Sequence, residues 1–115
     1  MYKFLLERNG RPYFTEVPRP QKEWDTVKAA FENALEHEKI VTDRINQIMS
    51  SAIAESDHAT SSFYSWFVDE QVEEESNVDT VIKKLKLMKE SSEGLFMLDK
   101  DMAARVFTPP PDFVF

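Results

Sequence analysis

Four glutamates and one aspartate fall within seven residues at 69–75, inside the stretch SWFVDEQVEEES that spans residues 65–76. The stretch opens with aromatics, like a buried helix face, and continues with carboxylates. Carboxylates set among apolar positions are the side chains that hold hard cations through oxygen. No cysteine occurs in the 115 residues, so thiolate sites and disulfides are excluded. Any metal is left with oxygen and imidazole ligands.

Spacing decides whether those carboxylates point inward. Val27, Phe31, Ala34, Glu38, Val41, Ile45, Ile48 and Ala52 recur at intervals of three and four, which predicts an amphipathic, coiled-coil-like helix with a glutamate in its seam. ESDHAT breaks that pattern, and Asp57 is suited to cap a second helix from about His58 to Lys89. The second seam runs Phe63, Phe67, Glu70, Glu74, Val78, Val81, Leu85 and Met88, so two more glutamates stand where apolar residues belong. In an antiparallel hairpin turning at Ser56, Glu38 and Glu74 each lie 18 positions from the turn and share one height. At the helical rise that height is about 27 Å from the turn, and Glu70 is one helical turn nearer. Burying carboxylates is costly unless donors or a cation compensate. Neither seam carries a lysine or arginine, so a bound metal ion is the simplest compensation. The competing reading is that EQVEEES is a solvated helix face. Equal height and unbroken flanking seams favour the metal.

The remaining chain frames this hairpin. MYKFLLER reads as the last two turns of a helix stopped by Asn9 and Gly10, and RPYFTEVPRPQKEW, with its three prolines, as an extended connection. SSEG reads as a break, LFMLDKDMAARVF as a short last helix beginning near Leu95, and FTPPPDFVF as an extended mobile tail or docking peptide. Only two glycines occur, which suits long uninterrupted helices. The excess of 21 acidic over 14 basic residues gives a net charge of −7 and argues against nucleic acid or an anionic membrane as partner. Neither a signal-peptide pattern nor an apolar run of membrane-spanning length is present, so a cytoplasmic location is expected. Glu55 and His58 have Glu-x-x-His spacing but fall on the turn, and His37 lies about 100° from the seam, so neither histidine is expected to ligate. Phe63, Tyr64, Trp66 and Phe67 are expected to be core and subunit-contact aromatics.

These segments resemble the C-terminal part of a bacterial non-haem ferritin. FENALEHE (31–38) is similar to the start of that family's third helix, SFYSWFVDEQVEEE (62–75) to its fourth, and GLFMLDKDMA (94–103) to its short fifth. Gln71 followed by Glu74 separates this branch from bacterioferritins and rubrerythrins, which carry Glu-x-x-His there. The resemblance implies an all-α fragment of a ferritin-like four-helix bundle, with RPYFTEVPRP as the crossover that packs at a two-fold contact. It implies a partial ferritin-like domain at 1–105 that begins past the first helix and most of the second, followed by the proline-rich tail at 106–115. The hairpin is then expected to complete a bundle by dimerisation.

For the site, the resemblance implies that Glu38 and Glu74 match ligands of the second iron of a ferroxidase pair and that Gln71 lines it. Glu70, Glu73 and Glu74 match a third iron site. The implied cargo is iron, as Fe2+ and Fe3+, with other divalent cations able to take carboxylate oxygens. Ligands of the first iron fall outside the match, which leaves oxidation of Fe(II) by this chain open. The implied partners are iron, further copies of the chain and full-length ferritin subunits. Two functions therefore stand side by side: iron binding and storage, or a structural helical dimer that binds no metal tightly.

Overall fold

A computed structural model describes residues 1–89 and 91–109. It is all-helical over those residues, in the order α1 (Tyr2–Glu7), α2 (Val27–Ala54), α3 (His58–Met88) and α4 (Ser92–Ala103). The two long helices form the antiparallel hairpin, and the described chain measures 53 Å in its longest dimension. Residues 11–24 connect α1 to it without regular structure, as three prolines and no helical period require. Among the described residues no helix is long and apolar enough to cross a membrane. Of the proline-rich tail expected from residue 106, residues 106–109 carry no helix or strand, and 110–115 lie outside the described residues.

Local chemistry sets each boundary. Thr26 caps α2 by accepting from the Ala29 amide at 3.0 Å, and Asp57 caps α3 by accepting from the Thr60 amide at 3.1 Å. Two helices end on the same device. Asn9 and Ser56 adopt left-handed φ values of 59° and 56°, and the following amides of Gly10 and Asp57 reach back to the Leu5 and Ala52 carbonyls, both at 2.8 Å. That 6→1 bond, with its inner partner from Asn9 to Leu6 and from Ser56 to Ile53, closes orphan carbonyls at each helix end.

The last helix begins three residues earlier than the sequence pattern places it. Ser91 accepts from the Gly94 amide at 3.2 Å, so Ser92, Glu93 and Gly94 form the first turn of α4 instead of a break. Gly94 suits this position because a Cβ there would fall 2.8 Å from the Met88 Cβ and Sδ atoms of α3.

Apolar burial concentrates at that end. Val81, Leu85 and Leu98 form the buried cluster, with Phe31, Met88, Leu95 and Met102 packed against it, and Leu85 is fully enclosed. At the opposite end, Phe4 of α1 stacks on Phe63 of α3 with ring centroids 4.1 Å apart, and Tyr64, Phe67 and Trp66 extend the group through tilted and edge-to-face contacts.

On α2 the expected seam faces α3, although Val27 and Ile48 at its rim stay exposed. On α3 the expected seam positions Val81 and Leu85 are buried, and the buried or cross-bonded residues also include Gln71, Glu75 and Ile82, a face centred roughly 100° around the helix from Glu70 and Glu74 at 100° per residue. The polar pair Gln71 and Glu75 occupies this face because side chains of α2 supply its hydrogen bonds.

Candidate metal centre

Gln71 is the one buried polar residue of the described chain, 8% exposed. Its Nε2 donates to Glu38 Oε2 at 3.1 Å, to the Glu38 carbonyl oxygen at 3.2 Å and to Thr42 Oγ1 at 3.1 Å. Thr42 Oγ1 in turn donates to Glu75 Oε1 at 2.6 Å. α2 presents Glu38 and Thr42 on one face because they lie four residues apart, and α3 presents Gln71 and Glu75 by the same spacing. The antiparallel turn at 55–57 brings the two pairs to one level. No buried side-chain nitrogen or oxygen of the described residues lacks a partner.

Glu70, Glu73 and Glu74 lie one residue or more around α3 from Gln71. Glu70 and Glu74 are half-buried on the flank of the hairpin, and Glu73 is exposed. Partial burial pushes the Glu70 carboxyl above the usual carboxylate range, and repulsion from Glu73 and Glu74 pushes it further the same way. Three carboxylates thus share a field that favours a proton or a cation on the first of them.

Of the expected ligands, the structure brings Glu38 into contact with Gln71 and sets Glu70, Glu73 and Glu74 close enough to repel. Among the described residues no three His, Asp or Glu side chains converge into a group that could hold a metal ion by themselves. His37 is exposed. Asp57, within the Glu55–His58 spacing, is engaged by Thr60 and by Arg8 at 2.6 Å, which joins α1 to the start of α3. Thr42 and Glu75 are site-level residues that the seam analysis passes over. The available signal was the four-residue step from Glu38 to Thr42 on one helix face.

A four-residue polar lattice bridging two long antiparallel helices, flanked by a carboxylate cluster, defines a helical-bundle carboxylate protein. The pattern of the Ferritin-like domain family matches residues 1–88, and the chain belongs to that family. It is 36% identical over 107 residues to a bacterial non-heme ferritin of Staphylococcus saprophyticus, covering 93% of this chain and 64% of the relative. A bacterial non-heme ferritin of Escherichia coli O6:H1 is 31% identical over 103 residues, 90% of this chain and 62% of the relative. The chain thus spans just under two thirds of the curated relatives it matches. Among solved structures, a humanized archaeal ferritin superposes with a TM-score of 0.89 at 42% identity, covering 94% of this chain and 66% of that one. An open-pore ferritin from the archaeon Archaeoglobus fulgidus gives 0.86 at 42% identity, with 91% and 65% covered.

Proposed function

We propose that this chain binds and stores iron as a ferritin-family subunit, with Glu38, Glu70 and Glu74 as carboxylate ligands, Glu73 adding to the cation-attracting field and Gln71 orienting Glu38. Residues 1–105 form the ferritin-like part and 106–115 a tail, in a cytoplasmic protein. The observation that carries the proposal is Glu38, partly buried between α2 and α3 with one carboxylate oxygen held by Gln71. Oxygen donors of this kind suit Fe(II) and Fe(III). The raised carboxyl of Glu70 supports the same reading, because a cation in the shared field of Glu70, Glu73 and Glu74 relieves their repulsion. Among the described residues fewer than three ligand side chains converge, so on this reading the set is completed from outside them. The proposed completion is a second hairpin packed against the flank that carries Glu70 and Glu74, in a homo-oligomer or with full-length ferritin subunits. Other hard divalent cations fit the same oxygens.

Anaerobic Fe(II) titration by calorimetry, with sedimentation in parallel, tests the reading. Saturable binding that disappears in the Glu38→Ala, Glu74→Ala double variant is the expected result. A stable oligomer that takes up no Fe(II) would overturn it and leave a structural helical dimer.

A further inference from the structure

The bonds around Gln71 have one polarity, and that polarity assigns a role to two residues outside the proposed ligand set. The Thr42 hydroxyl has a single proton, and at 2.6 Å from Glu75 Oε1 that proton goes to the carboxylate. Thr42 Oγ1 is then left with lone pairs only toward Gln71, so it accepts from the Gln71 amide nitrogen at 3.1 Å. The same nitrogen therefore faces α2 and donates its second proton to Glu38. In the flipped amide, Gln71 Oε1 would confront the Thr42 lone pairs and the Glu38 carboxylate at once. Glu75, through Thr42, thus fixes which end of the Gln71 amide meets Glu38.

We infer that Thr42 and Glu75 are positioning residues that lock the Gln71 amide so that it holds Glu38 Oε2 and leaves the second Glu38 oxygen to the cation. This inference rests on the iron-binding reading for its consequence, but not for the lock itself. Partners that orient a ligand from behind tune affinity strongly, with losses of about 10- to 100-fold when they are removed. The arrangement spans the hairpin, because Glu75 and Gln71 come from α3 while Thr42 and Glu38 come from α2. The groove beside it, about 360 Å³ and lined by Thr42, Asn46, Val72 and Glu75 among others, leaves Glu75 reachable by water on the far flank.

Thr42→Val keeps the shape of the side chain and removes the hydroxyl, Thr42→Ser restores the hydroxyl, and Glu75→Ala removes the acceptor that fixes its proton. The first readout uses the full chain without metal: the paired side-chain amide proton signals of Gln71 by NMR and their exchange with deuterated water. Thr42→Val and Glu75→Ala are expected to shift both signals and to speed their exchange at least about tenfold, while Thr42→Ser retains the parent behaviour. The second readout is Fe(II) titration, where the same two variants are expected to bind about tenfold more weakly with unchanged stoichiometry. Unchanged Gln71 signals in Thr42→Val, or a Thr42→Ser variant as impaired as Thr42→Val with the helical circular dichroism intact, overturn the lock. An absence of Fe(II) binding by the parent chain refutes the iron reading instead, and the amide signals still decide the lock.

Discussion

Replacing Gln71 with leucine removes the side chain that ties Glu38 to α3 among the described residues. The Nε2 atom carries two protons and serves three acceptors at 3.1, 3.1 and 3.2 Å, so its effect is that of two hydrogen bonds, one of them to a carboxylate. A neutral bond contributes about 1 kcal/mol net and a charge-assisted one about 1.5–3. Glu38 is only half-buried, so water recovers part of the second contribution. Leucine also gains apolar burial on the order of 1 kcal/mol at a site where the parent side chain is 8% exposed. The balance is a loss of about 1–2 kcal/mol, a fall in urea midpoint of about 0.5–1 M at ordinary slopes. Urea unfolding at one fixed chain concentration measures it, since association shifts apparent stability. Gln71→Glu is the matched control: it keeps the shape but sets a carboxylate against Glu38. Its folded-state pKa is raised by that neighbour, so its penalty is full at pH 7 and fades as pH falls toward about 4. A Gln71→Leu variant as stable as the parent, or a Gln71→Glu variant whose loss is independent of pH, would refute this account of how the hairpin holds Glu38.

Two further outcomes test the ends of the molecule. Leu85→Ala empties a fully enclosed side chain, at the centre of the Val81, Leu98 and Met88 cluster, and is expected to lower stability by about 3 kcal/mol. Because Leu85 lies about 21 Å along α3 from Gln71, Fe(II) stoichiometry of the folded variant should not change. Hydrogen bonds from the Thr60 hydroxyl, Arg8 and the Thr60 amide lower the Asp57 carboxyl from 3.8 to about 2. Its contribution is therefore complete above pH 3.8 and is lost as pH falls through about 2. The gap in urea midpoint between parent and Asp57→Asn should narrow across that window; a constant gap would argue against the Arg8 and Thr60 contacts in solution.

The hairpin was legible because its signals are local. Spacings of three and four mark each long helix, and Asp57 at the break supplies a cap that the Thr60 amide takes up. Two features depended on partners distant in sequence. Gln71 and Glu75 read as surface by hydropathy, yet Glu38 and Thr42, more than 25 positions earlier, satisfy them and so widen the packed face of α3 beyond the apolar seam. Ser92, Glu93 and Gly94 read as a loop by composition, but the Ser91 cap and the close approach to Met88 make them helical. The carboxylate cluster itself was plain in the sequence; which glutamate meets which neighbour was not.

The distribution of burial explains why a polar lattice can sit at mid-hairpin. Aliphatic packing around Leu85 fixes the helices at one end, and the packed rings of Phe4, Phe63 and Phe67 fix α3 at the other. Gln71 lies four residues past Phe67 and ten before Val81, so the two anchors bracket it within about 6 and 15 Å along the axis. Between them Ile45 is buried and lines the same groove as Gln71, and the Glu38, Thr42, Gln71 and Glu75 bonds add direction to that packing. Polar groups held by rigid flanking elements are already oriented when a cation arrives, which lowers the cost of ordering them at that moment. The same division makes substitutions in the lattice cost less for folding than Leu85→Ala and more for binding.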